Sequence, residues 1–201
     1  MNPYLSLTVR CESPESLAMD DTYLKIIYGY AESPFGEMLV AIAPEGICEL
    51  AFVQPDDPDP MLPVRRKYKN AYFIRKDLEA KKILFQIFYS DQPADLPLFL
   101  VGSQFRLQVW LRMLDIPVGG LLYYSELADW LGIPKSTRSV ASAVADNPIA
   151  LLVPCHRIIP KGGGAGNYKW GELRKVELIM WEHALTTPEE DPKTGPKRSR
   201  N

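Results

Sequence analysis

The chain has 201 residues, 46% of them hydrophobic, and a formal net charge of −2. This length accommodates one ordinary domain or two small ones. The small net charge argues against a global basic field, so any contact with nucleic acid depends on a local patch. The three cysteines, Cys11, Cys48 and Cys155, are odd in number and widely spaced. They argue against a disulfide framework or a clustered zinc site and predict a reducing compartment with a free thiol.

No membrane or export signal stands out in the chain. The N-terminus has neither the charged start nor the apolar core of a signal peptide. No apolar run approaches the roughly 18 residues of a membrane span. We therefore expect no leader and no membrane-spanning segment.

The first half of the chain predicts a small α/β domain. Residues 1–20 are polar and give no periodic signal, which predicts a flexible N-terminal arm. Three short runs of apolar, aromatic and β-branched residues follow, divided by turn residues, at 24–30, 38–43 and 46–52. They predict a three-stranded antiparallel sheet with Cys48 as a packed, inert thiol.

Helical segments and a linker complete this half. A helix is predicted over Leu78–Tyr89, and a shorter one begins near Met61. The proline-rich segment Asp91–Leu98 predicts a linker, so we place a domain boundary near residue 95. The N-terminal domain then covers residues 21–95.

The second half, residues 96–185, predicts a mostly helical domain. An apolar stripe with helical spacing runs through Phe105–Leu114. Two short helices, 125–131 and 136–145, are split by a glycine-containing turn, which predicts a helix-turn-helix. The outer face of the second helix is nearly all small: Arg138, Ser139, Ser142 and Ala145. Such a face suits close approach to a nucleic-acid backbone or a narrow groove, whereas major-groove readers usually carry longer side chains. A packed internal helix with Arg138 pointing outward is the alternative.

The run IALLVPCHR, residues 149–157, carries the reactive groups. Its apolar start, closed by Pro154, predicts a buried strand or extended segment. Cys155, His156 and Arg157 then follow without a spacer. Adjacency alone also fits an inert buried cysteine beside a solvent-facing histidine.

The end of the chain supplies a loop, a helix and a tail. Residues 161–168 form a glycine-rich loop, and a last helix is predicted over 172–185. Glu182 shares a helix face with Leu178, and a carboxylate on an inner face needs a partner. An exposed glutamate at the edge of the stripe is the alternative. Residues 186–201 are polar and proline-rich and predict a disordered tail.

The segment from Gly102 to Ala184 resembles the O6-alkylguanine-DNA alkyltransferases, also called methylated-DNA–protein-cysteine methyltransferases. GSQFRLQVW resembles the family's entry helix, YSELADWLG and RSVASAVADNP its helix-turn-helix, LVPCHRII its active-site motif, and GNYKWGELRK its closing loop and final helix. The first half resembles the family through SPFGEMLVA and GICEL. The resemblance implies a mixed α/β (α+β) fold, with the sheet-containing N-terminal domain followed by the helical DNA-binding domain.

The resemblance also implies roles for the reactive residues. Cys155 is the expected nucleophile, and His156 is expected to relay its proton through a water molecule. Glu182 is expected to orient His156, and Asn147 to brace the backbone around the cysteine. These four residues form the predicted catalytic set.

The predicted DNA-binding residues follow from the same resemblance. Tyr124 is expected to contact the phosphate and the flipped base, and Arg138 to fill the gap left by the extruded nucleotide. Tyr168 is expected to line the base pocket. The remaining members of this set are Ser139, Ser142 and Arg157.

The implied chemistry is one irreversible transfer per molecule. An alkyl carbon on a guanine oxygen needs a strong soft nucleophile, and a thiolate is one. We expect the His–Glu pair to increase the thiolate fraction of Cys155. The target base must be rotated out of the duplex, at a cost of a few kcal/mol. The thioether product has no good leaving group, so each molecule reacts once.

The implied partner is double-stranded DNA containing O6-alkylguanine, with O4-alkylthymine left open as a substrate. No cofactor and no metal are expected, because the zinc ligands of some relatives have no counterpart here. The cysteine-rich regulatory domain of some bacterial relatives is also missing, so we expect no transcriptional sensor. We expect a cytoplasmic monomer without an obligate protein partner, associated with the nucleoid if bacterial. Tyr123 departs from the Ser or Thr that is more usual in the family.

Two other functions compete with repair. A lesion-binding helix-turn-helix protein that does not repair lacks the cysteine, so Cys155 argues against it. A Cys–His hydrolase requires direct thiol–imidazole contact. Neighbours on an extended segment point to opposite sides, which argues against that contact between Cys155 and His156.

Overall fold

The computed structural model describes residues 4–19 and 23–187. It is a mixed α/β structure with a six-stranded sheet and seven α-helices in these ranges. The sheet strands are β1 Leu5–Glu12, β2 Leu24–Ser33, β3 Gly36–Ala43, β4 Gly46–Phe52, β5 Ala71–Arg75 and β6 Ala94–Val101. The helices are α1 Pro14–Met19, α2 Leu62–Lys67, α3 Asp77–Phe88, α4 Gln104–Leu114, α5 Tyr124–Trp130, α6 Thr137–Ala145 and α7 Glu172–Thr186. Two short strands, β7 Leu122–Tyr123 and β8 Ile158–Ile159, pair with each other.

The sheet has the strand order β1-β6-β4-β3-β2-β5. The three predicted strands β2, β3 and β4 form its antiparallel part. The other three strands add to this part by parallel pairing. The three predicted antiparallel strands are therefore present, but the prediction missed the other three strands of the sheet.

The prediction that residues 1–20 form a flexible arm is partly wrong. Residues 5–12 form strand β1, which pairs in parallel with β6 along its whole length. Leu5, Leu7 and Val9 alternate with more exposed neighbours and pack against the core, as expected of an edge strand with one buried face. Residues 1–3 and 20 of the arm, residues 21–22 after it, and most of the predicted tail, 188–201, lie outside the described residues.

The predicted linker at Asp91–Leu98 is also wrong, because β6 begins at Ala94. Leu96, Leu98 and Leu100 point into the core at every second position. Pro97, which suggested a linker, sits at an exposed position of this strand. The proposed domain boundary near residue 95 falls inside β6, and the division into two domains stays a prediction.

The two sides of the sheet differ in what covers them. One apolar cluster joins the sheet to the C-terminal helices and includes Leu50, Leu98, Trp110 and Cys155. A second, smaller cluster contains Cys48. Cys48 is fully buried, and burial raises the pKa of its thiol to about 12, so the prediction of a packed thiol is confirmed.

Helix α7 connects the two halves of the chain. Arg174 donates from Nε to the carbonyl of Phe35 at 2.9 Å, in the turn between β2 and β3. The ring of Phe35 also packs against Trp181, with centroids 5.4 Å apart. The turn motif SPFG therefore contacts the helix that carries Glu182. None of the helices in the described ranges is long and apolar enough to cross a bilayer.

Candidate active site

Strand β4 fixes the start of the loop that leads to Cys155. The amide of Leu50 donates to the carbonyl of Pro148 at 3.0 Å, and the amide of Ala150 donates to the carbonyl of Leu50 at 2.6 Å. Ile149 thus forms one isolated parallel bridge with Leu50. The chain then turns, with the Val153 amide bonded to the Ile149 carbonyl at 3.1 Å. The predicted buried strand over residues 149–153 is therefore wrong: it is a single bridge followed by a buried turn.

The backbone of Leu151 is strained, which shows that its surroundings hold this turn in one conformation. Its φ is 66°, and it is the one non-glycine residue in the described ranges with a positive φ. That conformation costs an L-residue about 1–2 kcal/mol. The side chain is fully buried, so surrounding packing holds the strained backbone in place.

Asn147 ties the turn to the thiol. Its Nδ2 donates to the carbonyls of Ile149 and Val153, at 3.1 and 2.8 Å, and lies 3.1 Å from Sγ of Cys155. Its Oδ1 accepts from the Ile149 amide at 3.0 Å. One fully buried amide group therefore fixes both the loop backbone and the sulfur atom.

Cys155 begins a short 3₁₀ helix, Cys155–Arg157, and is 4% exposed. Burial raises the pKa of its thiol, although the hydrogen bond from Asn147 and the charge of Lys175 lower it in part. Burial thus opposes the expected increase in the thiolate fraction of Cys155, and the proton relay through His156 stays a prediction.

His156 and Glu182 form the predicted contact, with Nε2 and Oε1 2.9 Å apart. His156 is fully buried, so the reading with a solvent-facing histidine is wrong. Burial lowers the pKa of His156 more than Glu182 raises it, which favours a neutral imidazole. Its Nδ1 is buried and has no hydrogen-bond partner among the described residues.

Glu182 is the centre of a buried polar network. Besides His156, it accepts hydrogen bonds from Nε and Nη2 of Arg157, both at 2.8 Å, and from the amide of Gly119 at 3.2 Å. Gly119 has a φ of 75°, and a Cβ there would lie 2.7 Å from the Thr186 hydroxyl, so glycine is required. Burial raises the pKa of Glu182, but the bonds and charges of His156 and Arg157 outweigh it and hold the pKa at about 2.

Arg157 does not have the position predicted for a DNA contact. Its side chain is 5% exposed, and its third nitrogen donates to the carbonyl of Ile116. All three guanidinium nitrogens therefore have partners inside the protein. The structure instead makes Arg157 the charge partner of Glu182.

Lys175 is a buried residue of the site that the sequence reasoning missed. It is fully buried, donates to the carbonyl of Ile158, and lies 5.9 Å from the centroid of the Tyr168 ring. Burial lowers its pKa to about 8, against the opposing effect of Cys155. The available signal was its spacing, because positions 175, 178 and 182 share one face of α7.

Two predicted base-contacting tyrosines, Tyr124 and Tyr168, pack against the apolar cluster that contains Cys155. The hydroxyl of Tyr168 is buried, and burial followed by the Cys155 charge raises its pKa. Burial, followed by the electrostatic effect of Cys155, also raises the pKa of Tyr124. Tyr124 and Tyr168 therefore share the apolar cluster of Cys155, and their roles toward the base stay predictions.

Helix α6 keeps its predicted small outer face free. Arg138, Ser139 and Ser142 are exposed, and the opposite face of the helix is buried. Trp110 holds the inner side by donating from Nε1 to the Ala143 carbonyl at 2.8 Å. The alternative of a fully packed internal helix is therefore wrong.

Comparisons with known proteins agree with this geometry. Residues 104–184 match the family model for the DNA-binding domain of 6-O-methylguanine DNA methyltransferase. The bifunctional transcriptional activator/DNA repair enzyme Ada of Escherichia coli is 33% identical over 163 residues, covering 79% of this chain and 46% of Ada. The crystal structure of Mycobacterium tuberculosis O6-methylguanine methyltransferase superposes with a TM-score of 0.66 at 29% identity, covering 82% of this chain and 96% of that one.

The chain is therefore similar to the methylated-DNA–protein-cysteine methyltransferases, both over the DNA-binding domain and in overall fold. A second structure, Mycobacterium tuberculosis OGT in complex with DNA, has a TM-score of 0.64 at 28% identity and covers 79% of this chain and 93% of that one. The chain spans about half the length of the curated relatives it matches.

The chain differs from the family's usual pattern at Tyr123, the residue before α5. The backbone amide of Tyr123 donates to the Glu126 carboxylate at 2.7 Å, which satisfies one free donor at the start of the helix. That bond uses no Tyr123 side-chain atom. The departure therefore leaves the backbone bond at the start of α5 intact.

The geometry also bears on the hydrolase alternative. Cys155 and His156 lie on a 3₁₀ turn, so the premise of an extended segment is wrong. The argument against a Cys–His hydrolase still holds, because Nε2 of His156 is hydrogen-bonded to Glu182 and Sγ of Cys155 is hydrogen-bonded to Asn147. Within the described ranges, no hydrogen bond joins the thiol directly to an imidazole.

Proposed function

We propose that this protein repairs DNA by direct, stoichiometric transfer of a methyl or larger alkyl group from O6 of guanine to Sγ of Cys155. It would act as a methylated-DNA–[protein]-cysteine S-methyltransferase that works once. The carbon–oxygen bond breaks as a sulfur–carbon bond forms. The thiol loses a proton, the guanine gains one, and the thioether inactivates the protein. The observation that carries this proposal is the buried network in which Asn147 holds the sulfur and Glu182 holds His156.

The proton route uses the free nitrogen of His156. With Nε2–H donated to Glu182, Nδ1 is the basic nitrogen of the neutral ring. A water molecule between Nδ1 and Sγ would carry the thiol proton to the ring. Glu182 would then stabilise the imidazolium that forms. Because burial raises the pKa of the Cys155 thiol, the relay would supply the thiolate when the alkylated base is bound.

The target would be a flipped nucleotide in double-stranded DNA. We propose that α5 and α6 form the helix-turn-helix, with Ser139 and Ser142 on its close-approaching face. Arg138 would replace the extruded nucleotide in the stack, which offsets part of the few kcal/mol that flipping costs. Tyr124 would contact the phosphate and the base, and Tyr168 would line the base pocket.

The finer assignments are part of the same proposal. They comprise an N-terminal α/β domain, which includes the six-stranded sheet with β1 and β6, and a DNA-binding and alkyl-transfer domain that follows β6. We propose a monomer that meets chromosomal DNA in the cytoplasm, associated with the nucleoid if bacterial. O6-Alkylguanine is the proposed lesion, and O4-alkylthymine is a second substrate to test.

The proposal is tested by following loss of the methyl group from a duplex oligonucleotide containing O6-methylguanine. The wild-type chain should remove it in a single burst that ends when protein equals product. Cys155→Ser should abolish the burst and retain DNA binding, whereas Cys11→Ser, which alters an exposed thiol, should leave it unchanged. Binding without any burst in the wild-type chain would favour the non-repairing lesion-binding alternative.

A further inference from the structure

Arg174, in the first turn of α7, joins the two halves of the chain and is not used by the proposed reaction. Its Nε donates to the Phe35 carbonyl at 2.9 Å, and its Nη1 donates to the Trp170 carbonyl at 2.5 Å. Its guanidinium carbon lies 4.7 Å from the centroid of the Phe52 ring. One side chain therefore contacts the turn between β2 and β3, the end of β4 and the segment that leads into α7.

These contacts depend on the shape of the guanidinium and not on charge alone. No carboxylate among the described residues forms an ion pair with Arg174. A planar fork can donate in two directions and lie over a ring, whereas lysine offers a single ammonium group. A Cβ added at Gly36, whose φ is 107°, would lie 3.3 Å from Nη2. The glycine of the turn therefore lets the guanidinium approach closely.

Trp170 connects this guanidinium to the proposed base pocket. Its side chain is 3% exposed, and its ring makes edge contacts with the rings of Phe52 and Tyr168, at centroid distances of 6.1 and 5.4 Å. The backbone closes the same turn, because the Gly171 amide donates to the Tyr168 carbonyl at 3.0 Å. A shift of Trp170 would therefore move Tyr168, which packs against the apolar cluster that contains Cys155.

The glycine-rich loop is held on both sides of Tyr168. Before this tyrosine, Ala165 is 5% exposed, and a Cβ added at Gly166 would lie 3.2 Å from Pro160. After it, the chain is held by the hydrogen bond from Arg174. Arg174 is the anchor whose other contacts reach β4 and the turn between β2 and β3. The position of Tyr168 relative to the sheet therefore depends on this second anchor.

We propose that Arg174 is a positioning residue that fixes Trp170 against the sheet and thereby holds Tyr168 in the wall of the base pocket for alkyl transfer. This inference rests on the proposed function. Arg174 does not touch the reacting atoms and acts through Trp170 and Tyr168. The first half of the chain thus contributes to the reaction through its SPFG turn, residues 33–36, although it supplies none of the proposed catalytic residues.

The experiment compares Arg174→Lys with the wild-type chain in single-turnover reactions on duplex DNA containing O6-methylguanine. Lysine keeps the charge but cannot make both carbonyl contacts. At saturating DNA, the variant should slow methyl transfer about three- to thirtyfold, because small misplacements in a site cost rate. The DNA concentration that gives half the maximal rate should stay within about twofold, since Arg174 has no proposed DNA contact. A wild-type maximal rate in Arg174→Lys would overturn the inference.

Arg75→Lys is the matched control. Arg75 also donates to a nearby oxygen, on Asp77, and lies 5.0 Å from the centroid of an aromatic ring, that of Tyr30. It belongs to β5, the edge strand at one end of the sheet. Arg75→Lys should transfer the methyl group within about twofold of the wild-type rate. Equal losses from Arg75→Lys and Arg174→Lys would overturn the specific role of Arg174.

A double-mutant cycle with Phe52→Leu tests the path through the aromatic rings. Leucine at this position removes the ring that contacts both Arg174 and Trp170. Each single variant should slow methyl transfer, and the double variant should lose less than the product of the two losses. Losses that multiply would show that the two residues act independently and would overturn the proposed path.

Amide exchange needs no alkylated base and separates this inference from the proposed function. The Gly171 amide reports on the turn after Tyr168, because it donates to the Tyr168 carbonyl. Arg174→Lys should speed exchange of this amide several-fold, whereas Arg75→Lys should not. Unchanged exchange at Gly171 would overturn the anchor even if alkyl transfer is confirmed. A wild-type chain without alkyl transfer would overturn the proposed function, and exchange at Gly171 would still decide the anchor.

Discussion

Replacing Glu182 by glutamine tests the buried network at its centre. The carboxylate accepts four hydrogen bonds, two of them from the buried guanidinium of Arg157. Glutamine keeps the shape but removes the charge, which leaves Arg157 buried without a counter-charge. Breaking a buried ion pair in this way costs about 3–5 kcal/mol. We therefore expect Glu182→Gln to lower the free energy of unfolding at pH 7 by about that amount.

The same residue predicts a pH dependence of stability. The pKa of Glu182 is about 2 in the folded chain, against an ordinary value of 4.5. Since 4.5 − 2 is 2.5 and each pKa unit corresponds to about 1.4 kcal/mol, the ionised carboxylate contributes about 3 kcal/mol. Because the folded pKa is depressed, this contribution is present above pH 4.5 and is lost as the pH falls towards 2.

Urea unfolding at pH 7 and at pH 3 measures both effects. The wild-type chain should lose stability between these values, and Glu182→Gln should lose about 2 kcal/mol less, because at pH 3 the folded carboxylate is still mostly ionised and the rest of its contribution is lost only below pH 3. Glu177→Gln, an exposed change on the same helix, is the control and should follow the wild type. A Glu182→Gln variant within 1 kcal/mol of wild type at pH 7, with an unchanged pH profile, would refute the account of the network.

Three further changes test other parts of the site. Asn147→Ala should destabilise the fold by about 2–4 kcal/mol, because buried carbonyls lose their donor; urea unfolding measures this loss. The same variant should raise the pKa of Cys155, which iodoacetamide labelling against pH measures. Lys175→Met should abolish a rise in unfolding free energy between about pH 8 and 10.5. In that window the unfolded lysine still binds a proton that the folded one has lost, and a rise of the same size in the variant would contradict the assignment. Arg138→Ala should slow repair in duplex DNA more than reaction with free O6-benzylguanine, and equal losses would argue against its role in the stack.

The elements that the sequence predicts well are those with local periodicity. Helices α4 and α6 follow apolar stripes that each helix carries within itself, and their boundaries agree with prediction to within one or two residues. Strands β1 and β6 were missed because their pairing joins residues far apart in the chain, such as Leu5 and Ala94. The residues of a short polar arm or a proline-containing segment do not by themselves indicate which distant strand they pair with.

The residues of the candidate site also fall into those that the sequence predicts and those that it does not. The joint action of Cys155, His156 and Glu182 was predicted from the family resemblance, and the inner-face position of Glu182 had already indicated that this carboxylate needs a partner. Arg157 and Lys175 were misjudged because charged side chains are usually exposed. Their burial follows from a carboxylate and a carbonyl supplied by distant segments. The pKa of the Cys155 thiol is likewise raised by burial, which adjacency to a histidine does not reveal.

The most direct test of the account is peptide mapping by tandem mass spectrometry after reaction with excess duplex DNA containing O6-methylguanine. The account predicts one methyl group per chain, carried by the sulfur of Cys155, with Cys11 and Cys48 unmodified. A methyl group on another residue, or continued demethylation of DNA while Cys155 stays unmodified, would contradict it.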